Sequence, residues 1–145
     1  MNINENKTNS EESTLSNLNN SELAYFLLRA GLGINIFFHG FVRIPKLQTF
    51  AESMISKFDG SMLPKFMVTP MAYFIPIAEV IIGAGILLGI KTKLALTGNA
   101  LLMFILIFGC CMIENFNALN SQMLVLFIST TLIATISNNR YTLTK

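Results

Sequence analysis

The chain has 145 residues, of which 52% are hydrophobic and only 12% charged, with a net charge of +2. Soluble domains carry about 25% charged residues, so a mean hydropathy of +0.58 leaves too little polar surface to cover a water-soluble globule. The small net charge, without a basic stripe interleaved with aromatics, argues against a nucleic-acid partner.

Residues 1–20, "MNINENKTNSEESTLSNLNN", are polar and rich in Asn, Ser and Glu. They lack the basic start and apolar centre of a signal peptide and read as a disordered tail. A single domain is expected over 21–145. Ser21 or Asn20 is placed to cap the first helix, with Glu22 favourable in its first turn.

The charge deficit falls in four blocks, at 23–42, 68–90, 94–113 and 122–137. About 20 residues at ~1.5 Å each cross a ~30 Å hydrocarbon core. The fourth block is shorter, but Ser121 and Asn138 extend it toward the headgroups. None of the blocks keeps the polar face of a buried soluble helix. The bilayer is therefore the first expected partner. The expected fold is all-α: an integral membrane four-helix bundle.

Between the first two blocks, Leu47, Phe50, Met54 and Phe58 recur at helical spacing, with Gln48, Glu52 and Lys57 on other faces. This pattern predicts an amphipathic helix lying in the interface plane, ended by Asp59-Gly60 and Pro64. The remaining connections, 91–93 and 114–122, are short and make consecutive spans antiparallel neighbours. By the positive-inside rule, the Lys91–Lys93 turn and the basic C-terminus point to both termini being cytoplasmic, by a narrow margin.

Ionisable groups at membrane depth are costly and normally face protein with a partner. Arg29, His39 and Glu79 are the candidates. Arg29, Gly33, Ile36, Gly40 and Arg43 form one stripe on the first span. Pro76, Glu79, Gly83 and Ile86 form another on the second, with Gly85 and Gly89 as a GxxxG pair on an adjacent face. Glycines on such stripes admit a neighbouring helix. Glu79 is expected between the levels of Arg29 and His39, paired with Arg29 directly or through a polar bridge such as Asn99. His39 and Arg43 share a face at the other membrane surface, where Glu114 adds a third group to a polar mouth. Each of these groups also has a structural reading: Arg29–Glu79 as a register-fixing pair, and His39 as a cap on carbonyls near Pro45. Ser129, Thr130 and Thr131 are expected to bond to their own helix backbone, and the adjacent Cys110 and Cys111 to serve as small packing residues.

Together, "RAGLGINIFFHGFVRI" and "PIAEVIIGAGILLGIKTKLA" resemble the DoxX family of small bacterial membrane proteins. The Arg of the first span, the His-Gly pair with a basic residue three positions on, the Glu of the second span, the Gly-rich run and the "TK" turn carry the resemblance, which covers about 23–113. It implies a four-helix bundle in the bacterial cytoplasmic membrane. It also implies kinship with small subunits similar to those of thiosulfate:quinone oxidoreductase and of a terminal quinol oxidase. Quinone is then the implied cofactor, with His39 and Glu79 as candidate contacts and partner proteins in a membrane complex. A lone histidine does not give bis-histidine haem ligation. The sequence has no metal-ligand cluster and no flavin or nicotinamide fingerprint. Two classes of function remain: a quinone-interacting subunit of a redox complex, or a non-catalytic subunit that anchors or assembles partners. A small transporter is a distant third, since no broken-helix repeat is evident.

Overall fold

The computed structural model describes residues 19–144. Five helices follow in order: α1 (Asn20–Phe41), α2 (Leu47–Lys57), α3 (Lys65–Leu88), α4 (Thr92–Met112) and α5 (Phe116–Ala134). Single 3₁₀ turns at Ile44–Lys46 and Ile136–Asn138 precede α2 and follow α5. Among the described residues there is no strand. Four helical stretches, led by α1, α3, α4 and α5, are long and apolar enough to cross a membrane. The expected all-α membrane bundle is therefore present. Of the 1–20 tail, residues 1–18 lie outside the described residues. Asn19 caps α1, its side chain accepting from the Ser21 N–H at 3.2 Å, so the cap falls one residue before the predicted Asn20 or Ser21.

The closest packing is between α1 and α3, and glycine explains it. A Cβ added at Gly33 would meet Leu87 backbone N at 2.6 Å, one at Gly40 would collide with the Pro76 carbonyl and Val80, and one at Gly83 with the Phe37 backbone. The two backbones approach closely because these positions carry no side chain, as the glycine stripes predicted. Both stripes are buried apart from Arg43, which lies beyond α1 and is partly exposed: Arg29, Gly33, Ile36 and Gly40 on α1, and Pro76, Glu79, Gly83 and Ile86 on α3. Gly85 faces Ala95 of α4. Gly89 is not a helix-packing residue, as the GxxxG reading had it. It ends α3 in the left-handed conformation, φ +71, where a Cβ is disfavoured.

Two apolar clusters fill the bundle. Tyr25, Leu32, Ile36, Ile86, Leu96 and Leu132 pack toward one end, and Ile75, Ala78, Leu102 and Met103 form the second. Asn99 donates to Ser129 Oγ at 2.8 Å, joining α4 to α5. Ser129, Thr130 and Thr131 bond to carbonyls of their own helix, as expected. α5 starts at Phe116, so most of the predicted 114–122 connection is helical. Asn115 accounts for this, its side chain accepting from Ala118 N–H as an N-cap. Asn117, Asn120, Ser121 and Gln122 give the first turns of this helix the composition of a loop.

Helix α2 lies along α3 with its predicted apolar face inward. Ala51 and Phe58 are buried, while Gln48, Glu52 and Lys57 are exposed. Tyr73 on α3 donates to Gln48 Oε1 at 2.9 Å.

Candidate functional site

Arg43 lies two residues beyond the end of α1, after its C-cap Val42, in the turn that enters the 3₁₀ segment. Glu79 sits on α3, 3% exposed. Arg43 Nη1 and Glu79 Oε2 are 2.6 Å apart. The Arg43 guanidinium also lies 4.8 Å from the Phe50 ring centroid, so α2 covers it from the other side. A carboxylate at this depth is stable only with such a partner.

This pairing corrects the expected Arg29–Glu79 bridge. The close approaches set the register: Gly33 meets Leu87, and Phe37 meets Gly83. The residues of α1 facing Glu79 are therefore those around Gly40, whose position abuts Pro76 and Val80. Arg29 belongs at the far end, where its Nη1 abuts Gly89. Its Nη2 donates to the Tyr141 carbonyl at 2.6 Å. Asn99 does not bridge the two charges, since its amide is committed to Ser129.

Beside the Arg43–Glu79 pair opens a cavity of about 730 Å³, within the ~300–1,000 Å³ range of small-molecule sites. Its polar end is lined by Asn35, His39, Arg43 and Glu79, and its walls include Phe50 and Met54 of α2, Ile75 of α3 and Met103 of α4. Cys110 and Gln122 line a further stretch, with Gln122 Nε2 donating to Cys110 Sγ at 3.2 Å. Asn35, His39 and Arg43 are spaced four apart, and this helical period brings them to one wall. The His39 ring makes no hydrogen bond among the described residues, so the expected cap on carbonyls near Pro45 does not form. His39 lies at the end of the bundle opposite the Lys91–Lys93 turn, as predicted. Glu114 does not join it. Glu114 is exposed with φ +53, and it is the flanking Ile113 and Asn115 that line the cavity.

Of the six sequence-predicted polar residues, the structure brings His39, Arg43 and Glu79 together. Arg29, Asn99 and Glu114 lie elsewhere. Sequence reasoning missed Asn35, whose signal was its position one turn before His39, and Phe50, read as interfacial rather than as a cover for Arg43.

The fold and this site define an integral membrane helical bundle with a partly buried ion pair beside a largely apolar cavity. The DoxX family profile matches residues 24–111, well over half of the chain, and the chain belongs to that family. Neither a curated protein nor a solved structure matches it.

Proposed function

We propose that the chain is the quinone-interacting small subunit of a redox complex in the bacterial cytoplasmic membrane. One observation carries the reading: an Arg43–Glu79 pair, flanked by Asn35 and His39, at one end of a largely apolar cavity of about 730 Å³. The residues fit a quinone's needs. The apolar walls suit a ring and an isoprenoid tail. His39 and Asn35 have uncommitted side chains and supply hydrogen bonds to a carbonyl. Arg43 holds one oxygen of Glu79, and the other makes no hydrogen bond among the described residues, so it is the group that exchanges a proton with a bound ligand. A quinone supplies a two-electron, two-proton couple, and a donor on a partner protein supplies the electrons. The lysines at the α3–α4 turn favour both termini on the cytoplasmic side.

A second reading, a subunit that anchors or assembles partners without chemistry, draws support from α5. Only 11% of its apolar window is buried, which leaves a broad face for lipid or protein. His39→Gln separates the readings. In the complex purified in mild detergent, the redox reading expects quinone-dependent turnover and extracted quinone per chain to fall about tenfold at equal protein yield, the scale of one lost hydrogen bond to ligand. Unchanged turnover with unchanged quinone content leaves the anchoring role.

A further inference from the structure

The opposite end of the bundle holds a second cavity, of about 600 Å³, between the start of α4 and the C-terminal segment. Lys91, Thr92, Lys93 and Thr97 line one side, and Asn139 and Thr142 the other. Three independent features converge there.

The first is the helix end. α4 begins without a side-chain cap, its N-cap Lys91 held left-handed at φ +43, so the first-turn N–H groups present partial positive charge outward. The second is Thr92, which lines the cavity, is 4% exposed, and has a hydroxyl with no partner among the described residues. Buried hydroxyls are normally paired, and this one is left as an uncommitted donor at the cavity wall. The third is charge. Lys91 and Lys93 form no ion pair among the described residues. Behind them lies Arg29, 1% exposed. A Cβ added at Gly89 would meet both Arg29 Nη1 and, at 3.0 Å, the Thr142 Cα in the cavity wall. Arg29 Nε and Nη1 also lack partners among the described residues. The nearby acid, Glu22, is already taken by Arg140 at 2.8 Å.

We infer that this cavity binds a phosphate group, carried by the headgroup of an anionic lipid. The phosphate oxygens accept from the first-turn N–H groups of α4 and from the Thr92 hydroxyl, while Lys91 and Lys93 balance its charge. Lipid rather than free phosphate fits the surroundings. Leu94 in the wall is exposed, and Leu101, two turns further along the same face of α4, is exposed as well. This gives an acyl chain an apolar track down the helix. The site does not depend on the quinone reading, which concerns the other end of the bundle.

The test uses the full chain in mild detergent, titrated with phosphatidylglycerol, with phosphatidylcholine, and in a separate arm with inorganic phosphate. Native mass spectrometry counts retained lipid, and thermal melting reports phosphate. Wild type should retain phosphatidylglycerol over phosphatidylcholine. Thr92→Val and Lys93→Gln should each lower that retention roughly fivefold, the scale of one charge or one such bond at a membrane surface. Thr92→Ser, which keeps the hydroxyl, should bind as wild type, and Lys46→Gln at the far end should change nothing. Lys93 is exposed, so its variant keeps the test decisive if Thr92→Val folds poorly. Selective stabilisation by inorganic phosphate, lost in the same variants and without lipid preference, upholds the phosphate site but overturns the lipid source. Equal retention by all variants, or equal loss in Lys93→Gln and Lys46→Gln with Thr92→Val unaffected, overturns the site.

Discussion

Arg29, near the middle of α1, and Arg43, just beyond its C-terminus, carry the same charge, yet the bundle treats them differently. Arg43 meets a carboxylate at 2.6 Å, stacks on Phe50 and borders a cavity. Arg29 is enclosed, donates to one backbone carbonyl, and keeps two donor nitrogens without partners among the described residues. One end of the bundle thus pairs its charge beside the larger cavity. The other keeps Arg29 covered by the C-terminal segment, where Leu143 N–H reaches the Leu88 carbonyl at 3.4 Å and Lys91 N–H reaches Thr144 Oγ1 at 3.2 Å. A buried cation does not by itself mark a site; what matters is what its remaining donors face.

The sharpest way to break this comparison is to remove each arginine in turn. Arg43→Met leaves Glu79 buried without a counter-charge and should cost about 3–5 kcal/mol in thermal or denaturant unfolding. Adding Glu79→Gln to that variant should recover most of the loss, because the stranded charge is gone. Additive losses in this cycle would show that the pair is not coupled.

The register that assigns Arg43 to Glu79 is sharpened by Gly83→Ala, which drives a Cβ into the Phe37 backbone and should cost about 1–3 kcal/mol. Its control is Gly31→Ala. Nothing lies within 4 Å of that position, and the variant should gain about 0.5–1 kcal/mol from helix propensity. Equal melting temperatures for the two alanine variants would contradict the close α1–α3 approach.

Arg29→Met should have the smallest effect, within about 1 kcal/mol of wild type. It loses a charge-assisted bond to Tyr141 but also removes two buried donors without partners. A loss matching that of Arg43→Met in the same melts would mean that the two ends are equivalent.

The spans, their faces and the glycine contacts were legible in the sequence because each follows from a local period. Apolar length gave α1, α3 and α4, and a seven-residue, two-turn spacing put Gly33 and Gly40 on a buried stripe. The ion pair was not legible in the same way. Its assignment depended on the axial register of α1 against α3, and a guess from span ends placed Glu79 too near Arg29. The register is set by Phe37 against Gly83 and Gly33 against Leu87, contacts that no single-chain period encodes. The start of α5 was hidden for a different reason. Asn115, Asn117 and Asn120 read as loop by composition, whereas Asn115 is a cap. The roles of Tyr141 and Thr144 in closing the far end come from a segment with no periodic signal at all.

The measurement that bears most directly on the central claim is photolabelling of the detergent-solubilised chain with a photoreactive quinone, followed by peptide mapping. The account predicts label on the cavity wall, at Asn35, His39 and neighbouring positions of α1 and at Phe66–Glu79 of α3, and its loss on competition with unlabelled quinone. Label spread along the outward face of α5, or label on the cavity wall that excess quinone does not displace, would contradict it.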